Sequence, residues 1–265
     1  MKYAGGMTYD SVHEQVLAIA LTLPRIAAAF MVVPLMTAET VPPLVRNSFF
    51  VSLAIVAYPI AAAAAPGAAM MQSTWALIVL KEIFVGTAIG FSFGVIFWAL
   101  SGAGYVIDVK VGSSMASVMD PISGHQTSLT GMFLSQLGAW LFMATGAFTM
   151  FIDLLLTSYQ LWPVGNALPP LHAGGIAYFA GQFNFLMTAV LLFSAPALVI
   201  TSLLDIALGL INRYAQQLNV FALAMPIKSW LSTWILLLAL GAIVEVVVRK
   251  LAENRHLLDV LRKII

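Results

Sequence analysis

Cysteine is absent from the 265 residues, and charged side chains make up only 9% of them. The first absence excludes a disulfide scaffold and thiol-ligated metal sites, although a Cys-free chain suits either a reducing or an oxidising compartment. The second excludes more, because a soluble domain keeps roughly a quarter of its residues charged. Charge of one sign is also missing. Twelve Lys and Arg stand against 11 Asp and Glu, a net charge of +1, and this argues against a nucleic-acid partner, which calls for clustered Lys and Arg on phosphates. The basic cluster that does exist is the tail, with Arg249, Lys250, Arg255, Arg262 and Lys263.

Motifs for chemistry are missing too. His13, His125, His172 and His256 show neither i, i+4 pairing nor an HExxH arrangement, so no metal site is expected. There is no GxxxxGK[ST] loop for a nucleotide and no GxSxG nucleophile elbow. Ser123 and His125 flank Gly124, too close in sequence to face each other as nucleophile and base, so a polar loop is expected there. The chain therefore reads as a non-enzyme without a cofactor.

What is present is apolar surface: 61% of residues are hydrophobic and the mean hydropathy is +0.97. Apolar runs cover 12–33, 48–65, 75–100, 129–156, 176–204 and 218–248, each long enough to be a transmembrane candidate at about 20 residues per span. An open sheet edge cannot survive in lipid, so the fold class is all-α, a polytopic membrane protein of about six long, kinked helices. Asp10 and Glu14, with Pro24 and Arg25 in the first run, do not fit a cleaved signal peptide, and a retained helix is expected. The basic tail favours a cytoplasmic C-terminus, and six crossings would put the N-terminus on the same side.

Charges interrupt this picture. Lys81, Glu82, Asp108, Lys110, Asp153, Asp205, Arg213, Lys228 and Glu245 lie in or beside apolar runs, where each would cost about 2.5–3.5 kcal/mol at a bilayer centre. Pro24, Pro59, Pro196 and Pro226 add bends. Bent helices with internal charges suit a subunit packed among other subunits. Gly86, Gly90 and Gly94 fall four apart on one helix face and mark close helix packing, within the chain or between subunits. Lys81 and Glu82 open the same helix as an ion pair at an interface or inside an assembly; a proton relay needs more carboxylates than this helix offers. The segment 102–131, rich in Gly and Ser and punctuated by Asp108, Lys110, Asp120 and His125, reads either as a pore-lining or re-entrant loop or as a solvated connector.

Several of these residues form an ordered set. Val118-Met119-Asp120-Pro121 after a Gly/Ser-rich stretch, Gly209-Leu210-Ile211-Asn212-Arg213, and Gln216-Gln217-Leu218-Asn219-Val220-Phe221 resemble the FliR/SctT family. So do Pro24-Arg25, Lys81-Glu82-Ile83 with Gly86, and the Trp162-Pro163-Val164-Gly165 turn, over nearly the whole chain. The resemblance implies a structural and gating subunit of the type III protein-export gate, multi-pass in the bacterial inner membrane within the secretion basal body. It implies a helical hetero-oligomeric ring with SctR/FliP-like and SctS/FliQ-like subunits. It also implies SctU/FlhB-like and SctV/FlhA-like components and unfolded secreted substrates as further partners. By the same analogy residues 1–170 form an SctR-like part containing a plug loop at 102–131, and 171–265 an SctS-like helical hairpin with the basic tail. Met115, Val118 and Met119 would be the plug tip and Asp120-Pro121 its end. Gly209, Asn212, Arg213, Gln217 and Asn219 would lie in the loop between the last two helices, against neighbouring subunits. The Tyr159-Gln160-Leu161-Trp162-Pro163 turn resembles the injectisome branch, SctT, more than flagellar FliR. Two rival readings are a secondary transporter, which usually carries internal repeats not seen here, and an intramembrane enzyme, which would need a nucleophile–base pair.

Overall fold

A computed structural model describes residues 9–36, 41–62, 68–112, 128–165, 173–214 and 220–254. Among them are seven helices: α1 (Tyr9–Val32), α2 (Pro43–Ala62), α3 (Ala68–Val111), α4 (Leu129–Ala144), α5 (Ala147–Leu161), α6 (Ala173–Tyr214) and α7 (Val220–Glu253). Pro24, Pro59, Pro196 and Pro226 all lie inside helices.

Among the described residues four helices are long and apolar enough to cross a membrane, through Pro43–Ala61, Trp75–Val111, Gly175–Tyr214 and Ala224–Glu253, and α4 with α5 adds a fifth crossing if the two make one broken span. The all-α, multi-helix architecture is as expected, with four or five candidate crossings against six apolar runs. The apolar part of α1, Ala18–Val32, falls short of the span length. The run at 129–156 is not one helix, because Gly146 takes φ +74°, a left-handed conformation that suits a residue without Cβ, and ends α4 just after its C-cap at Thr145.

The expected loop at 102–131 is also shorter. Helix α3 runs on to Val111 and stops where Gly112 adopts φ +92°; its N–H donates to the carbonyls of Asp108 and Val109 at 3.1 and 3.2 Å. Helix α4 begins at Leu129, with Ser128 as its N-cap. Residues 209–213, expected between the last two helices, are the final turns of α6.

The chain forms two compact units whose segments alternate along the sequence. The first comprises Met1–Gly94, Ala147–Tyr178 and Asn254–Ile265, the second Val95–Gly146 and Phe179–Glu253. In the first unit Phe151 of α5 sits between Phe30 of α1 and Phe93 of α3, at 5.1 and 5.2 Å between ring centroids with near-perpendicular planes. Such edge-to-face contacts are the favoured aromatic geometry. In the second unit Phe97 meets Phe142 at 5.5 Å, Leu100, Ala103, Leu134 and Leu141 are buried, and α4 packs against α7.

Candidate functional site

The first unit holds a charged cluster in its core. Glycines make it possible: a Cβ on Gly86 would collide with the backbone carbonyl of Arg25, one on Gly90 with that of Ala29, and one on Gly94 would lie 2.9 Å from the Val32 carbonyl. The bare face of α3 thus receives the backbone of α1 directly. Glu82, one turn before Gly86, comes to stand beside Arg25.

The guanidinium grips that carboxylate with both prongs, Nε to Oε2 at 2.6 Å and Nη2 to Oε1 at 2.9 Å, in a bidentate geometry that Arg alone among the cations offers. Nη1 donates to the Ser158 hydroxyl at 3.0 Å and Nη2 to the Trp162 carbonyl at 2.8 Å. The Tyr159 ring lies 4.1 Å from the guanidinium carbon, and its hydroxyl donates to the Thr22 carbonyl at 2.8 Å. Lys81 adds a second cation: Nζ is 2.8 Å from Glu82 Oε1 and donates to the carbonyls of Pro163 at 2.9 Å and Val164 at 3.3 Å. Both Arg25 and Glu82 are fully buried.

Two cations against one anion leave an excess positive charge. It is met by the carbonyls of Trp162, Pro163 and Val164, which follow the C-terminal end of α5, where the helix dipole is negative. Buried ions are tolerated only when their hydrogen-bonding capacity is filled, and here Arg25, Lys81 and Glu82 bind α1, α3 and the end of α5 into one body. Ser158 is spoken for as well, since its hydroxyl donates to the Leu155 carbonyl at 2.6 Å.

The second unit carries a different arrangement around the two ends of the segment 113–127. The Asp108 carboxylate accepts from the Ser128 hydroxyl at 2.7 Å, the Thr130 amide at 3.1 Å and the Thr130 hydroxyl at 2.5 Å. Ser128 Oγ in turn accepts from the Gly131 amide at 2.8 Å. Helices α3 and α4 meet backbone to backbone here, because a Cβ on Gly104 would strike Gly131 and Thr130. Two residues after Asp108, Lys110 of α3 pairs with Asp205 of α6 at 3.0 Å, and Lys228 of α7 pairs with the same carboxylate. These charges are only partly buried.

Of the residues singled out in the sequence, Gly86, Gly90 and Gly94 pack against α1 of the same chain, and Lys81 and Glu82 join the buried cluster. Gly209, Asn212 and Arg213 are exposed on α6, and a Cβ on Gly209 would meet nothing within 4 Å. Met115, Val118, Met119, Asp120, Pro121, Gln217 and Asn219 lie outside the described residues. Sequence reasoning named Arg25 as an interruption of the first apolar run and as part of a resemblance, and missed it as the centre of the cluster, along with Ser158 and Tyr159. An Arg inside an apolar run was the available signal, but nothing in the sequence pairs residue 25 with residue 82. Among the described residues no group of three or more His, Asp or Glu is gathered for a metal ion.

Residues 16–254 match the family described as Bacterial export proteins, family 1. Yop proteins translocation protein T of Yersinia pestis is 36% identical over 233 residues, 88% of this chain and 89% of that protein. Secretion system apparatus protein SsaT of Salmonella typhimurium is 32% identical over 235 residues, 87% and 89% of the two chains. Flagellar biosynthetic protein FliR of Bacillus subtilis is 31% identical over 233 residues, 88% and 89%. With nearly its whole described length inside the match, this multi-pass helical chain belongs to family 1 of the bacterial export proteins.

Proposed function

We propose that the chain is a structural and gating subunit of the inner-membrane export gate of a type III protein secretion system, a non-enzymatic part of the channel through which unfolded proteins leave the cell. The observation that carries this is the family match across residues 16–254. It stands beside relatives whose names refer to translocation, a secretion system and flagellar biosynthesis. The injectisome branch is favoured by the higher identity to the Yersinia protein, 36% against 31% for the Bacillus FliR.

In this reading the chain sits in the secretion basal body with SctR/FliP-like and SctS/FliQ-like subunits, and its residues 1–170 and 171–265 correspond to those two kinds of subunit. Charges and prolines inside the apolar helices fit a subunit whose helices face protein as much as lipid. Met115, Val118 and Met119 form the tip of a plug and Asp120-Pro121 its end. Flexible apolar side chains at a constriction block water and ions by dewetting, and Met adapts to varied passing chains. Asp108 and the Lys110–Asp205–Lys228 group hold the two roots of that segment to the helices.

Deleting the gene tests the function: secretion of effector proteins should be lost and restored by the gene in trans, and intact secretion would refute the reading. Loss of flagellar assembly instead would move it to the flagellar branch. Val118→Gly with Met119→Gly tests the plug, since membranes holding the assembled variant should leak ions; membranes as tight as wild type would remove that assignment.

A further inference from the structure

Helix α5 has a polar edge opposite its buried face. Its inner face buries Ala147, Phe151, Leu154, Leu155, Ser158 and Tyr159. On the opposite side Thr149, Asp153 and Gln160 are exposed and Thr157 is half-exposed. The spacing, four, four and three residues, sets all four on one strip of the helix surface. Among the described residues the Asp153 carboxylate has no partner.

This strip cannot face hydrocarbon. A carboxylate and three hydrogen-bonding side chains turned to lipid would each lose water without replacement. At 15 residues, α5 is about 22 Å long, short of the hydrocarbon thickness of about 30 Å. Nor can the helix roll to hide the strip, because its other face is held by Tyr159 against the Arg25 guanidinium and by the Ser158 hydroxyl at 3.0 Å from the same group. The strip is therefore held away from lipid.

Its chemistry indicates what else it meets. Two hydroxyls, one carboxamide and one carboxylate present donors and acceptors over about 16 Å, the length of about five residues of extended chain. No apolar anchor within the strip would select one side chain over another. Such a surface exchanges hydrogen bonds with a polypeptide backbone whatever its sequence and releases it as readily, as a conduit requires.

We infer that the Thr149–Asp153–Thr157–Gln160 strip is a wetted wall of the protein-conducting passage, touched by extended polypeptide in transit. This rests on the export-gate reading and assigns to it a surface away from the plug residues.

The absence of cysteine makes the test direct. Thr149→Cys, Asp153→Cys and Gln160→Cys are made singly in the full chain, in cells with the whole secretion system, with Ile55→Cys on the exposed apolar face of α2 as the comparison. Only variants that still secrete are scored. Modification by a membrane-impermeant maleimide should be about tenfold or more faster at the three strip positions than at Ile55, since a thiol reacts only where water and reagent reach it. With a thiol oxidant added, a secreted protein stalled in transit and carrying one cysteine should form a disulfide adduct with the strip positions that a reductant removes, and no adduct should form when the oxidant is added after the stall is released. Modification without adducts would mean that the strip faces bulk water, and protection at all three positions would mean that lipid or a partner covers it; either result overturns the assignment. If instead deletion of the chain leaves secretion intact, the export-gate reading itself fails, so the two failures are distinguishable.

Discussion

Among the described residues Glu82 is the one anion between the buried cations Arg25 and Lys81, so the members of its cluster are not equivalent. Glu82→Gln leaves Arg25 and Lys81 facing each other without a counter-charge. Removing one member of a buried pair costs about 3–5 kcal/mol, and the detergent-solubilised variant should melt far below wild type or fail to accumulate. Lys81→Met keeps the bidentate Arg25–Glu82 pair and strands only the carbonyls of Pro163 and Val164, at about 1–3 kcal/mol. Equal losses in the two variants would contradict the geometry. Asp108 makes a smaller prediction of the same kind. In Asp108→Ala the Thr130 amide loses its carboxylate acceptor, so hydrogen exchange there should quicken by one to two orders of magnitude, following a cost of about 1–3 kcal/mol. Unchanged exchange would mean that the carboxylate does not cap α4.

At the scale of elements, the glycines of the long helices separate into two kinds. Gly86 and Gly90 sit where α1 touches α3 through its backbone, and any side chain there must push the helices apart. Gly86→Leu should cost at least the 1–3 kcal/mol typical of overpacking and also pull Arg25 from Glu82, which would appear as reduced accumulation and a lowered melting temperature. Gly181, Gly209 and Gly241 meet nothing within 4 Å. Gly209→Ala should leave stability unchanged or raise it by up to about 1 kcal/mol, because alanine is the better helix former. A Gly86→Leu variant as stable as wild type would show that the two helices can separate without loss. The break between α4 and α5 belongs to this scale too. Without the left-handed turn at Gly146 the apolar run would continue as one helix, and the buried face of α5 would point elsewhere.

For the molecule as a whole, exposed apolar area is concentrated in particular helices. The membrane-length window of α3 is 72% buried, whereas those of α2, α6 and α7 are 22%, 28% and 22% buried. Trp230, Trp234 and Leu238 on α7 and Leu191 and Leu203 on α6 are all more than half exposed. In the proposed gate these faces meet other subunits as well as lipid. Co-expression with the SctR-like and SctS-like proteins should raise the yield of the full chain several-fold, as binding to the native state protects it by mass action. The three should then co-purify in unequal copy number. A chain recovered alone at the same yield and melting temperature would count against the hetero-oligomer.

Composition alone settled much of the fold class, because 9% charge and 61% apolar residues leave helices as the way to satisfy backbone hydrogen bonds in lipid. The ordered motifs located the family before any coordinates. The sequence also exposed the right anomalies, a Gly repeat at 86, 90 and 94 and charges at 25, 81, 82, 108 and 205, since each breaks the local rule for an apolar helix. Helix ends were less legible: Gly112 and Gly146 stop helices by adopting positive φ, a choice that apolar periodicity does not reveal. Partners were not legible at all. That Arg25 finds Glu82 across 57 residues and Ser158 across 133 depends on which backbones approach, and that is decided by tertiary packing. Once Gly86 admits α1, the nitrogens of the Arg25 guanidinium, the Lys81 ammonium and both Glu82 oxygens all find partners. The same packing turns Asp153 outward, and so decides which charge is part of the core and which lies on the surface.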